Sequence, residues 1–224
     1  MNPIIQVSKI SKSFTQGDRQ VKVLTQVELE VFRAEKIAIL GQSGSGKSTL
    51  LSLLGGLDSP DSGSIELDGE NLHNMSEDKR SRTRSEKLGI VFQQYHLMRN
   101  LTALENVGLP LEILGTPSHA SRASSLLTEV GLAHRETHFP SEMSGGECQR
   151  VAIARALVSR PSIILADEPS GNLDPKTGQE VMDLLFKLCT EHKTTLVFVT
   201  HNQQLARRCD RIFSLNGGIL EEIN

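Results

Sequence analysis

Lys36-Ile-Ala-Ile-Leu-Gly-Gln-Ser-Gly-Ser-Gly-Lys-Ser-Thr49 decides the architecture of this chain. Residues 36–40 form a brief apolar run of the kind that makes a buried strand, and residues 48–54 carry a helical pattern. The stretch between them satisfies the Gly-x-x-x-x-Gly-Lys-Ser/Thr phosphate-loop pattern, in the strand-then-helix setting that gives the pattern its meaning. Glycines let the backbone curl around a phosphate that a Cβ would block, and a helix start adds unpaired N–H groups. Gly41, Gln42, Ser43, Gly44, Ser45, Gly46, Lys47, Ser48 and Thr49 are therefore candidate nucleotide-binding residues. Lys47 suits the β- and γ-phosphates, and Ser48 suits a Mg2+ ion that also carries phosphate oxygens.

Two other stretches bear on the same chemistry. Ile163-Ile-Leu-Ala-Asp-Glu168 is an apolar strand ending in two carboxylates, at the strand end where open α/β sheets bind ligands. Asp167 fits an acid that organises Mg2+, and Glu168 fits the base for an attacking water. Alone, such a pair is more often a solvated turn; beside an intact phosphate loop the functional reading prevails. Met143-Ser-Gly-Gly-Glu-Cys-Gln-Arg150 precedes the helix-like run of residues 151–158 and makes a second phosphate seat. Its presence asks why one chain carries two.

The remaining pattern sets these stretches in order. Strands are expected over residues 4–10, 22–31, 64–69 and 88–92, with a polar helix over 76–87. Residues 102–130 are helical in spacing, broken by Pro110, Gly115 and Pro117. Helix 146–158, strand 162–166, helix 175–191 and strand 194–200 then alternate, which predicts a parallel sheet with covered faces. Lys+Arg of 24 against Asp+Glu of 27, a net charge of −3, gives no bulk reason to expect nucleic acid. No run approaches the roughly 20 apolar residues of a membrane span, and the start has no basic-then-apolar order of a secretory signal. The scattered Cys148, Cys189 and Cys209 fit reduced cytosol better than disulfides or zinc. The basic run Lys79-Arg-Ser-Arg-Thr-Arg84 is diluted by acids and lacks aromatic partners, so it reads as a solvated helix face.

With these motifs placed, the chain resembles, essentially end to end, the nucleotide-binding subunit of ATP-binding-cassette transporters. The resemblance implies an α/β phosphate-loop NTPase with a mostly parallel core, an antiparallel β part at the N-terminus and an inserted helical subdomain. It implies one domain over residues 1–224, with 93–140 as the helical part and 1–92 plus 141–224 as the core. Ser144, Gly145, Gly146 and Glu147 resemble the family signature, with Met143 in place of the usual leucine. In the family two cassettes face head to tail, and each signature covers the ATP held by the other's phosphate loop. That accounts for the second seat.

Further roles follow from the resemblance one position at a time. Gln93 resembles the glutamine that senses Mg2+ and the attacking water, so the metal set is Ser48, Gln93 and Asp167, and the catalytic set Glu168, His201 and Gln93. His201 resembles the switch histidine that touches the γ-phosphate. Asp174 belongs to the loop that crosses the dimer interface, and equally suits an N-cap before Pro175. Phe14 resembles the aromatic that stacks on adenine, though a lone Phe after a strand is equally a core residue. Departures are Ser170 for threonine and Asn202 for aspartate.

Leu54-Gly-Gly-Leu-Asp58, Leu101-Thr-Ala-Leu-Glu-Asn-Val107 and Gly171-Asn-Leu-Asp174 resemble the lipoprotein-releasing and macrolide-export branch. ATP and Mg2+ are the implied cofactors. The implied partners are an integral membrane permease and a second copy of the chain, with no nucleic acid. The implied place is the cytoplasmic face of the inner membrane, peripherally bound. A cell-division cassette is close in pattern. DNA-repair cassettes are disfavoured because Gln93 and Ser144 are separated by a short, cysteine-free segment. A GTPase is disfavoured because no Asn-Lys-x-Asp motif exists.

Overall fold

The computed structural model of the protein describes residues 2–17, 19–117 and 119–223. In chain order come strands β1 (Ile5–Gln16), β2 (Arg19–Val31) and β3 (Lys36–Leu40), helix α1 (Lys47–Leu54), and strands β4 (Ser62–Leu67) and β5 (Glu70–Asn71). Helix α2 (Glu77–Lys87) and strand β6 (Leu88–Val91) lead to helices α3 (Ala103–Ile113), α4 (His119–Glu129) and α5 (Gly145–Leu157). Strand β7 (Ile163–Asp167), helix α6 (Pro175–Glu191), strand β8 (Thr195–Thr200), helix α7 (Gln203–Ala206) and strands β9 (Arg211–Asn216) and β10 (Ile219–Ile223) complete the chain. They fall into two compact units, Met1–Arg84 with Thr195–Asn224, and Ser85–Thr194. Among the described residues no helix is long and apolar enough to cross a membrane.

The first unit holds an antiparallel sheet in the order β2-β1-β4-β5. Its strands alternate: β2 buries Leu24, Val27, Leu29 and Val31 and turns the residues between them outward. After Lys36, strand β3 is apolar, as suits a strand flanked by parallel neighbours, β8 on one side and β9 on the other. The basic run on α2 is less solvated than its sequence suggests. Arg84 Nη1 donates to the Gly56 carbonyl at 2.8 Å, just past the end of α1, and Arg80 and Arg84 expose only 19% and 22% of their side chains. Cations there complement the negative end of α1.

In the second unit β6 and β7 pair in parallel, with Leu88 opposite Ile163 and Val91 opposite Ala166. Helix α5 packs deep within it: Val151, Ala152, Ile153 and Ala154 are wholly enclosed. Helix α3 runs on through Pro110, where a break was expected, and stops at Gly115. There the Gly115 and Thr116 N–H groups close the last turn on the Glu112 and Leu111 carbonyls. Burial of Val107 and Leu111 on either side of the proline outweighs its missing N–H.

Candidate functional site

In the first unit, β3 and β8 run in register so that Leu40 lies opposite Thr200. The loop 41–46 and His201 therefore leave the same end of neighbouring parallel strands. The loop bends back through Gly46, whose φ of 100° is a left-handed value, and a Cβ there would meet Val23 Cγ1 at 2.9 Å. Lys47 is 6% exposed, and its Nζ donates to the Gly41 and Gln42 carbonyls at 2.9 and 3.0 Å. Two observations fit this loop to an anion. Helix α1 has neither a side-chain cap nor an acid in its first turn, and the buried Ser45 Oγ has no hydrogen-bond partner. A phosphate oxygen satisfies both. Phe14 is 44% exposed, so it is not core; it sits opposite Val21 on the β1–β2 arm, with Lys12 Nζ 5.2 Å from its ring centre. Asn202 accepts from the Gln204 and Leu205 N–H groups and caps α7 as an aspartate would, so its neutrality costs no hydrogen bond.

In the second unit the β6–β7 register brings Gln93 and the Asp167–Glu168 pair to one end of two parallel strands. Both acids are half-buried, and Glu168 has φ of 42°. Such a conformation in a residue with a side chain stores strain of the sort found at working sites. The Gly171 N–H donates to the Glu168 carbonyl at 2.8 Å and folds the following turn. Gln93 Nε2 donates to Asn172 Oδ1 in that turn at 2.9 Å. Asp174 then caps α6 through Thr177 N–H at 3.1 Å, ahead of Pro175. The side-chain oxygens of Gln93 and Asp167 are hard donors of the type Mg2+ takes, and Ser48 in the first unit carries another. Among the described residues no group of three His, Cys, Asp or Glu could hold a metal ion.

The loop after Gln93 is pinned to α5. Tyr95 and His96 both have left-handed φ, 58° and 47°, and Arg155 donates to their carbonyls at 2.7 and 2.5 Å. Gln149 Nε2 holds the Phe92 carbonyl at 3.3 Å. At the start of α5 Ser144 is the N-cap and forms a capping box with Glu147, whose other oxygen accepts from Arg135 Nε at 2.8 Å. These bonds, that of the Ser144 N–H first, hold the Glu147 carboxyl down at about 2. Gly146 has a reason of its own to be glycine: a Cβ would meet Thr177 Cγ2 at 2.5 Å. Burial raises the pKa of the Cys148 thiol, so the helix start does not activate it. Ser144 and Gly145 remain exposed. Beside them lies an open groove of about 490 Å³ lined by Gln94, Tyr95, Leu97, Pro140, Met143 and Cys148.

A family model described as ABC transporter matches residues 24–171, from within β2 to the turn after Glu168. The chain belongs to the ABC transporter family. This ABC chain is 51% identical to the ABC transporter ATP-binding protein YbbA of Escherichia coli K12, over 98% of this chain and 97% of that one. It is 49% identical to the lipoprotein-releasing system ATP-binding protein LolD of Pseudomonas syringae pv. tomato, with the same coverage. The dimeric structure of MJ0796, a bacterial ABC transporter cassette, superposes with a TM-score of 0.90 at 40% identity, covering 98% of this chain and 99% of that one. A post-hydrolysis dimer of MJ0796 bound to ADP and Pi gives a TM-score of 0.89 at 39% identity. The chain is thus an ABC ATP-binding subunit with an α/β fold that combines antiparallel and parallel β-structure with helices. Arg135 and Arg155 hold its site together and carry no motif signal, and Asn172, though inside the phrase Gly171-Asn-Leu-Asp174, had no role of its own read from it; their partners are a side chain twelve residues on, backbone carbonyls and a glutamine distant in sequence.

Proposed function

We propose that this chain hydrolyses ATP to power a membrane permease that exports or extracts lipoprotein, lipid-like or amphipathic cargo. The proposed domain is single over residues 1–224, its helical part near 93–140, and it works at the cytoplasmic face of the inner membrane without nucleic acid. Two copies close head to tail on ATP. In this reading residues 41–49 bind the phosphates, Phe14 stacks on adenine, and Ser144, Gly145 and Gly146 cover the partner's ATP. Glu147 serves by locking that cap. Ser48, Gln93 and Asp167 would hold Mg2+, which when bound neutralises charge on the phosphate oxygens. Glu168 accepts the proton of the attacking water, and His201 and Gln93 orient it. Closure excludes water and strengthens each charged contact. The groove beside Tyr95 and Met143 receives the permease.

The observation that supports hydrolysis best is the parallel register of β6 and β7, which presents Gln93, Asp167 and Glu168 together. The lipoprotein cargo is supported by relatives named LolD, such as that of Shewanella oneidensis at 47% identity over 97% of this chain. The test pairs the chain with a permease in proteoliposomes loaded with an acylated lipoprotein. Wild type releases cargo on adding ATP. Glu168→Gln binds ATP as well, accumulates as a closed dimer, and loses at least about 100-fold in turnover with no release. Normal hydrolysis by that variant removes Glu168 from its role, and hydrolysis without release removes the cargo class.

A further inference from the structure

The two hydrogen bonds between Gln93 and Asn172 fix which end of each carboxamide points where. Asn172 Nδ2 donates to the Gln93 backbone carbonyl at 3.1 Å, and Gln93 Nε2 donates to Asn172 Oδ1 at 2.9 Å. A backbone carbonyl only accepts, so Asn172 must turn its NH2 toward it. That leaves Asn172 Oδ1 facing the glutamine side chain, and an acceptor there requires the Gln93 NH2. Gln93 Oε1 is thereby placed on the side remote from Asn172. Gly171 allows the pair to close up, since a Cβ there would stand 2.8 Å from Gln93 Nε2. The loop that carries Asn172 is itself tied at both ends, to the Glu168 carbonyl through Gly171 N–H and to α6 through the Asp174 cap.

We propose that Asn172 is a positioning residue that presents Gln93 Oε1, rather than Nε2, to nucleotide-bound Mg2+. The inference rests on the reading of Gln93 as metal-facing. A carboxamide oxygen is a ligand for a hard cation and an NH2 group is repelled by one. Without Asn172 the glutamine loses the bond that holds its side chain in place, and its terminal torsion, soft and roughly two-fold, leaves either end to face the metal. The same pair makes the orientation of Gln93 depend on the loop 170–174, so a displacement of that loop reaches the metal shell without any contact to it. Asn172 is solvent-exposed, which makes the effect one of modest, water-accessible hydrogen bonds.

The test is Mn2+ binding, read by electron paramagnetic resonance, to the full chain saturated with a non-hydrolysable ATP analogue. Asn172→Ala is expected to weaken Mn2+ by about three- to tenfold. Its affinity for the analogue in EDTA and its melting temperature stay at the wild-type values. Gln93→Ala weakens Mn2+ at least as much, and the double variant is no worse than Gln93→Ala alone, because Asn172 acts through the glutamine. Wild-type Mn2+ affinity in Asn172→Ala, with Gln93→Ala impaired, overturns the proposal and leaves the metal-facing reading standing. Losses that multiply in the double variant overturn it too. Unchanged affinity in Gln93→Ala overturns the metal-facing reading and the proposal together.

Discussion

Glu147 accepts from the Ser144 N–H at 2.8 Å, the Ser144 hydroxyl at 2.9 Å and Arg135 Nε at 2.8 Å. Three donors favour the ionised carboxylate and hold its pKa near 2 against an ordinary 4.5. Because the folded group is the stronger acid, its stabilisation is complete above about pH 4.5 and is lost as pH falls toward 2. Glu147→Gln keeps the shape and drops the charge. It is expected to lower stability by about 1–2 kcal/mol at pH 7, measured by urea unfolding, with the gap to wild type shrinking steadily below pH 4.5. A gap that stayed constant down to pH 3.5 would show that the loss does not come from the charge. The Ser-x-x-Glu spacing was legible as a cap in principle, but the same letters also read as a phosphate seat. Arg135, twelve positions upstream, had no mark in the sequence because a turn of the chain, not a spacing, brings it in. Likewise Gly146 reads as a glycine for phosphate, while the structure shows Thr177 requiring it.

At the scale of elements, the phrase Leu101-Thr-Ala-Leu-Glu-Asn-Val107 has a mechanical explanation. Thr102 and Glu105 form a capping box at the start of α3, and Asn106 is fully buried behind it. Asn106 Nδ2 donates to the Met98, Leu101 and Thr102 carbonyls, and its Oδ1 accepts from Met98 N–H at 2.8 Å. One side chain thus ties the loop 98–102 to the helix. Asn106→Leu has nearly the same volume; it takes the amide's bonds from the Met98 N–H and the Leu101 carbonyl, while the Met98 and Thr102 carbonyls keep the Leu101 and residue-106 N–H groups. It is expected to cost about 2–4 kcal/mol, read from urea midpoints, with faster proteolysis within residues 95–102. A midpoint within experimental error of wild type would show that water replaces the amide. Strands β3 and β8 were legible because both faces are buried and their central letters, 37–40 and 196–199, are continuously apolar. The β9–β10 hairpin was not, although Asn216-Gly-Gly218 marks its turn. β10 buries little: Ile219 is 53% exposed and Glu221 and Glu222 follow, so it shows no apolar face to read. The end of α3 was misplaced for the opposite reason, since Pro110 signals a stop that packing overrides.

At the scale of the whole molecule, an exposed Ser144–Gly145 on a capped helix start, in a chain that already has a phosphate loop, is what the proposed two-copy site asks for. The motif order suggested that proposal. The division into Ser85–Thr194 and the remainder was not, because it is set by the pairing of β6 with β7 across 70 and more intervening residues, which no local pattern records. The shared-site reading makes a quantitative demand on rate. Below the dimer dissociation constant the paired fraction falls in proportion to concentration, so turnover per chain falls with it. Ser144→Arg places a bulky cation at the seam; it is expected to leave ATP affinity of the dilute chain within about twofold, since the helix start lies outside that chain's own phosphate loop. Its turnover at high concentration drops at least about 100-fold. Lys47→Ala removes the other half of the site and is expected to be inactive alone. Mixed one to one, the two variants form hetero-pairs with one intact seam, Lys47 from one copy and Ser144 from the other. If one seam turns over independently, symmetry predicts recovery of roughly a quarter of wild-type activity. Sedimentation run alongside the assay fixes the state of the chain. Undiminished turnover at a dilution where only monomer sediments would show that each copy completes its own site, and that the exposed cap on α5 serves something other than a partner's phosphate.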